Sequence, residues 1–235
     1  MCGRVVQARP LEELAELYAA PPDDVARGAL RPRYNVAPTD PIAVVVADEA
    51  GARRLTAHRW GLVPPTGEQE VVRRESTPLI NARAETIETN ALFRAAFAHR
   101  RCLVPVDGFY EWQRDLDGRQ PYFIRPRDGA PLALAGIWLP WRASPSGLLG
   151  SCSIVTSTPD DVVGRLHDRM PVVLPETAWD TWLRADTPID LALAMLRARP
   201  VTSRLEAYPV VRLVNSVRND GPQLLDRAEV QATLF

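Results

Sequence analysis

Between Cys102 and Thr156 the chain passes through five short apolar stretches, CLVPV, GFYEW, PYFIR, LALAGIW and CSIVT. Turn residues such as Asp117-Gly118 and Asp128-Gly129 stand between them. Short runs rich in β-branched and aromatic residues, punctuated by Asp-Gly, predict successive strands joined by tight turns. This block makes a sheet the centre of the fold, and everything around it has to pack on that sheet.

The flanking segments supply helices and further strands. Leu11, Leu14 and Leu17 lie at helical spacing in residues 11–20, and Pro21-Pro22 stops that helix. RPRYNVAPTD (31–40) reads as a loop, followed by a strand over Ile42–Ala47. Residues 53–60 read as a second strand that turns at Gly61 and Pro64-Pro65. The polar, turn-rich stretch 65–78 is long enough to be a functional surface loop. Thr86–Arg100 predicts a helix burying Leu92, Ala95, Ala96 and Phe97. More helices are expected near Pro159–Leu166, at Glu176–Ala185 and at Ile189–Arg197, and a last strand around Ala207–Val214. At ~150 residues per domain, 235 residues allow one large domain or two small ones. No repeat or low-complexity linker divides the chain, so the expectation is one α+β domain, 1–235, with a mostly antiparallel, barrel-like sheet flanked by helices.

Charge and composition narrow the function. With 28 basic and 29 acidic residues the net charge is −1, which argues against a polycation that coats duplex DNA and leaves a local basic groove possible. Every basic residue is Arg. The absence of Lys removes the Walker lysine and any lysine Schiff base, so an imine could form only on the α-amine. Cys2, Cys102 and Cys152 are odd in number and far apart, which speaks against a disulfide framework or structural zinc and for the cytosol. His58, His99 and His167 add nothing to a metal case, and neither a metal nor a cofactor is expected. No run approaches ~18 apolar residues and MCGRVVQARP has no apolar core, so neither a membrane span nor a secretory signal is expected.

Cys2 is the first candidate for chemistry. Initiator Met is normally removed before so small a residue, which would leave an α-amine and a thiol on adjacent carbons. These titrate near ~7.7–8.0 and ~8.5, so both nucleophiles are partly available at neutral pH. A second-position Cys of no consequence is the ordinary alternative, and its company decides between them. The chain carries Met-Cys-Gly-Arg, Arg33-Tyr34-Asn35-Val36-Ala37-Pro38-Thr39, Trp60-Gly61, Asn81-Ala82-Arg83-Ala84-Glu85-Thr86, Gly108-Phe109-Tyr110-Glu111-Trp112, His167-Asp168-Arg169-Met170-Pro171 and Val214-Asn215. In these motifs, ordered from Cys2 to about Gly221, the sequence resembles the SOS response-associated peptidase family, whose members crosslink themselves to abasic sites in single-stranded DNA. A C-terminal tail, 222–235, lies beyond the match.

The resemblance implies a chemistry that the residues can support. The freed α-amine of Cys2 would condense with the C1′ aldehyde of a ring-opened abasic site, and the thiol would close a five-membered thiazolidine. Glu111, between Tyr110 and Trp112, is a candidate for a raised pKa and proton transfer, against the alternative of an outward-facing strand carboxylate. His167 would move protons near neutral pH. Asn81 would hold the α-nitrogen or the opened sugar. Arg4, Arg83 and Arg169 would meet phosphates, with solvated surface charge as the alternative for each. Asn35 either orders the loop around Cys2 or touches DNA. Pro38, Trp60 and Trp112 would stack on or wedge against bases, with core packing the competing role for both tryptophans. Family members carry aromatic residues soon after Trp-Gly, whereas Leu62-Val63-Pro64-Pro65-Thr66-Gly67 has none. The implied partner is abasic single-stranded DNA, bound by a cytoplasmic monomer that joins the nucleoid on DNA, removes its own Met1 and has some lyase character.

Two other classes fit part of the pattern. Class II glutamine amidotransferases also begin Met-Cys-Gly, but 235 residues leave no room for a synthetase domain, and Glu111 and His167 have no part in that chemistry. A single-stranded DNA sensor that forms no bond is the non-enzymatic alternative. A free-standing protease is weaker still.

Overall fold

The computed structural model describes residues 2–63, 78–115, 118–141, 147–148, 150–198 and 204–228. It is a single-domain α+β fold built on two sheets. The first closes on itself: β3 (Pro41–Ala47) pairs antiparallel with β4 (Arg53–Trp60) and with β6 (Arg101–Val106), β6 with β9 (Leu132–Pro140), and β9 with β10 (Gly150–Ser157). A parallel pairing of β10 with β4, Ser151 to Arg59 and Cys152 to Trp60, completes a five-strand barrel and leaves those strands without a free edge. Two short strands hang on β10: β5 (Asn81–Arg83), parallel to it, and β11 (Met170–Pro171), antiparallel. The second sheet is open and antiparallel, with β2 (Arg33–Val36), β1 (Val5–Gln7), β7 (Gly108–Asp115), β8 (Gly118–Pro126) and β12 (Leu205–Pro209) side by side.

Strand periodicity divides the core in two. Val44, Cys102, Val104 and Leu134 join Val5, Phe109 and Ile124 of the open sheet. Their strand neighbours Val45, Leu103, Ala133 and Ala135 pack with Phe97, Trp179, Trp182 and Leu193 from the helices. Both faces of these strands are therefore covered, which explains why they read as continuous apolar runs rather than an alternation. The other face of the open sheet carries a third cluster, with Val6, Tyr110 and Phe123 under Tyr208, Val210 and Val214.

Five helices flank this core: α1 (Leu11–Leu17), α2 (Asp24–Ala29), α3 (Arg94–His99), α4 (Trp179–Leu183) and α5 (Ile189–Arg197). Arg101 ties two of them to β6. Buried to 2% exposure, it donates to the carbonyls of Phe97 and Trp182 at 2.7 Å, of Ala98 at 2.9 Å, and of Arg184. Those are the carbonyl ends of α3 and α4, where orphan acceptors and helix dipoles favour a cation.

The structure corrects several expectations. The loop 31–40 contains a strand, β2, because Arg33–Val36 completes the ladder beside β1. The helix expected over 86–100 shortens to Arg94–His99, since the Asn90 side chain takes the Leu92 N–H at 2.9 Å and turns the chain. Ala95 is then exposed and Phe93 buried. Leu17 is 43% exposed, its expected core place taken by Tyr18. Near 159–166 only a 3-10 turn, Val163–Arg165, forms, capped by Asp160. The last strand ends at Pro209, which has no N–H for the ladder, and a 3-10 turn over Arg212–Asn215 follows. Residues 64–77, which hold most of the expected surface loop, lie outside the described residues, as do 116–117.

Gly108 lies where β1 meets β7, paired with Val6. A Cβ there would stand 2.5 Å from the Ile124 carbonyl oxygen and 2.5 Å from the Phe123 ring. Gly108→Ala should therefore destabilise the fold by about 1–3 kcal/mol. Gly28→Ala, in α2 with nothing within 4 Å, should stabilise it by about 0.5–1 kcal/mol. Urea denaturation of the two variants checks the pair; equal effects would remove the close-approach argument.

Candidate functional site

The start of the chain lies in the core. β1 is held between β2 (Val5 opposite Val36) and β7 (Val5 opposite Phe109). Tyr110 N–H donates to the Arg4 carbonyl at 3.0 Å, which extends the β1–β7 register toward the N-terminus and brings Gly3 opposite Glu111. Cys2, one residue earlier, is completely buried. From the other side Asn81, first residue of β5, donates its Nδ2 to the Cys2 carbonyl at 2.9 Å. Its Oδ1 is buried without a partner among the described residues, an acceptor left over beside the Cys2 backbone.

Burial sets the protonation of this cluster. Glu111 is 2% exposed, and desolvation raises its pKa from 4.5 to about 7, against the lowering effect of the amino-terminal charge. The Cys2 thiol is pushed far above its usual range, first by burial and then by the neighbouring Glu111 charge, so it stays S–H. His167 follows the 3-10 turn 163–165. Its Nδ1 accepts the Arg169 backbone N–H at 3.0 Å and lies 2.8 Å from Asp168 Oδ1. A neutral ring satisfies the first contact and only an imidazolium the second. Burial and the amino-terminal charge lower its pKa, so near pH 7 the ring is neutral, Nδ1 accepts, and the ring proton sits on Nε2. Cys2, Asn81, Glu111 and His167, four residues from four separate segments, thus meet around the amino terminus.

The expected DNA-contacting residues divide into groups. Arg4 is partly buried and donates from NH1 to Asn35 Oδ1 at 2.7 Å and to the Val214 carbonyl at 3.0 Å, with its guanidinium 5.6 Å from the Trp112 ring centre. Asn35 is fully buried and its Nδ2 also holds the carbonyls of Ser216 at 3.0 Å and Asn219 at 2.8 Å. Of its two expected roles the structure gives it loop ordering, for no polar atom of it is left for DNA. Trp60 is likewise fully buried, donating Nε1 to the Ile80 carbonyl at 3.0 Å, so its ring belongs to the core and not to a base. Trp112 is half-buried and donates to Asn215 Oδ1 at 2.7 Å. Arg169 forms a two-pronged pair with Glu85, both contacts 2.8 Å, and a bond to the Thr156 carbonyl at 2.6 Å. That fork is already occupied. Arg83 is exposed, with no ion pair or side-chain hydrogen bond among the described residues. Pro38 is half-buried on a loop strapped to β4 by the Thr39 N–H to Trp60 carbonyl bond, 2.8 Å.

Glu85 and Asn215 stood inside recognised motifs, yet nothing local showed their partners, which lie 84 and 103 residues away. His58 is buried, its pKa pushed down to about 3 by desolvation, and Cys102 and Cys152 are buried free thiols. Among the described residues no three His, Cys, Asp or Glu gather as a metal site, and no helix is long and apolar enough to cross a membrane.

Residues 1–217 match the family described as SOS response associated peptidase (SRAP). The chain belongs to this family. It is similar to the abasic site processing protein YoqW of Bacillus subtilis, 33% identical over 96% of this chain and 99% of that protein. YedK of Escherichia coli, also described as an abasic site processing protein, is 31% identical over 96% of this chain and 99% of that one. Among solved structures, a phage-related protein from Bordetella bronchiseptica is 30% identical, with a TM-score of 0.68 over 89% of this chain and 94% of that one. A protein from Bacteroides thetaiotaomicron, 24% identical, shares the fold with a TM-score of 0.80 over 97% of this chain and 100% of that one.

The raised Glu111 pKa has a consequence for stability. A carboxyl whose pKa is 4.5 unfolded and about 7 folded keeps its proton longer in the folded state, so stability falls as pH rises through that window. Above pH 7 the cost of the buried charge is of order 3 kcal/mol. Glu111→Gln should thus be more stable than the wild type at pH 8 by up to about that amount, with the advantage gone by pH 4. Urea denaturation at both pH values reads it; an advantage equal at both would show that the carboxyl is not held protonated.

Proposed function

We propose that this protein processes abasic sites in single-stranded DNA by bonding covalently to them through Cys2. The observation that carries the reading is the convergence of Asn81, Glu111 and His167 on the buried start of the chain, around the one residue that can offer an amine and a thiol together. Membership of the family and the names of its abasic-site-processing relatives support it.

The chemistry begins with hydrolysis of the Met1–Cys2 peptide bond, which frees the α-amine. In its unprotonated form the amine adds to the C1′ aldehyde of the ring-opened deoxyribose to give a carbinolamine, and loss of water leaves the imine. The Cys2 S–H then adds across C=N, forming the S–C1′ bond and placing a proton on nitrogen, which closes the thiazolidine. A thiol kept protonated by burial has the proton this last step needs. Glu111, titrating at about 7, can donate to the departing ring oxygen and to the leaving water. Neutral His167 can accept and return a proton at the sugar. Asn81 positions the Cys2 backbone, and its spare Oδ1 can accept from the freed amine. Arg83 is free to meet a flanking phosphate, whereas Arg169 acts through the Glu85 pair that fixes the segment carrying His167. Arg4, Asn35 and Trp112 brace the strand that presents Cys2.

The direct test is intact mass spectrometry after incubation with single-stranded DNA holding one abasic site. The expected species has the mass of protein without Met1 plus DNA minus one water. One extra residue placed before Cys2 should abolish it. Cys2→Ser should leave only a borohydride-trappable imine, without the heat-stable adduct. Retention of Met1 in protein that still crosslinks would overturn the mechanism.

Acid assistance by Glu111 also fixes a pH profile. The single-turnover rate should fall as pH rises through about 7, where the donor loses its proton. Glu111→Gln should be slower by about 10²-fold or more, with the fall near pH 7 removed and DNA affinity nearly intact. An unchanged rate and profile would return Glu111 to a structural role.

A further inference from the structure

Outside the cluster at Cys2 a groove of about 590 Å³ opens on the same face of the open sheet as Glu111. Its walls start at the site. Gln113 lies two residues beyond Glu111 on β7, and alternation puts it on the same face. Tyr122 on β8 is the register partner of Glu111, so the two side chains share that face. On the other side Leu166, which immediately precedes His167, lines the groove. The floor is apolar, with Leu166 and Ala207 packed against the buried cluster that contains Cys2.

The rim is cationic. Arg127 and Arg165 are both exposed, and among the described residues neither carries an ion pair or a side-chain hydrogen bond. Of the acids at the groove, Glu206 is already engaged by Arg125 at 2.9 Å and Arg227 at 3.8 Å, which leaves Asp161 against two free guanidinium groups. An apolar floor, a phenol ring, an amide with donors and acceptors, and two unpaired cations at the lip match a nucleobase, its edge and its phosphates. The size falls within the ~300–1,000 Å³ of small-ligand pockets.

We propose that this groove is a subsite for one nucleotide of the substrate strand, the one flanking the lesion on a single side. Its base lies over Leu166 and Ala207 beside Tyr122, Gln113 meets the base edge, and Arg127 and Arg165 hold the adjoining phosphates. This rests on the abasic-site reading above and adds to it a polarity: the nucleotides on the two sides of the lesion contribute unequally.

The test uses single-stranded oligonucleotides containing a tetrahydrofuran abasic analogue, which has no aldehyde, so that binding is read by fluorescence anisotropy without bond formation. The strand is shortened from each end until no, one or two nucleotides flank the analogue on that side. For the wild type, removing the first flanking nucleotide should weaken binding about 5- to 10-fold on one side and less than twofold on the other. In Arg127→Ala/Arg165→Ala, and to a smaller extent in Gln113→Ala, the larger step should shrink toward twofold. Arg218→Ala, an exposed arginine outside the groove, should keep it. Equal steps at both ends, a large step undiminished in the double variant, or the same loss in Arg218→Ala would each overturn the subsite. A parallel incubation of the wild type with a true abasic strand separates the two readings: an adduct with the subsite pattern absent refutes the groove alone, whereas no adduct refutes the covalent function. Failure to bind any of these strands refutes both.

Discussion

The first strand of this protein is an interior strand, and the site depends on that. A chain terminus ordinarily frays at the surface, where nothing holds it. Here β1 has ladder partners on both sides, and Val5, Val6 and Cys2 are at most 1% exposed. Insertion between β2 and β7 delivers the backbone of residue 2 to the point where Glu111 and Asn81 arrive on other strands. A nucleophile at a mobile terminus would have to be ordered at each encounter with substrate, at a cost of roughly 1–2 kcal/mol per residue. In this fold that ordering belongs to folding itself.

The same burial tunes the groups. Removing water from around Glu111 brings a carboxyl into the neutral range and keeps the adjacent thiol protonated. The electrostatics are thus local, which agrees with a net charge of −1. Since every cationic side chain is a guanidinium, structural work and ligand contact draw on one residue type. Arg101 is spent on helix ends, Arg4 on Asn35 and Val214, and Arg169 on Glu85. What remains for an anionic strand is a smaller set, among them Arg83, Arg127 and Arg165.

Much of the fold was legible. The strands at 53–60 and 102–156 and the helix Ile189–Arg197 stand where composition and turn residues place them, because buried strands need apolar runs and Gly turns are local. The parts that were not legible depend on distant partners. Nothing in Arg33–Val36 says strand until β1 lies beside it, and nothing in Thr86–Asn90 shows that the Asn90 side chain will claim a backbone N–H. For the site, the motifs singled out the right neighbourhoods but could not say which arginine keeps its fork free. That is decided by Glu85, which reaches Arg169 across 84 positions and leaves Arg83 open.

The sequence by itself determined the kind of chemistry available. A cysteine at position 2 and the absence of lysine restrict imine formation to one amine, and that restriction is covalent, so no fold could alter it. The ordered motifs likewise determined the family. Only the tertiary structure decided that Trp60 and Asn35 belong to the interior, that Glu111 titrates near neutrality, and that a groove leads from Glu111 between Gln113 and Leu166. Burial, pKa and shape are properties of what surrounds a residue, and those surroundings come from segments that the closed barrel and its companion sheet bring together.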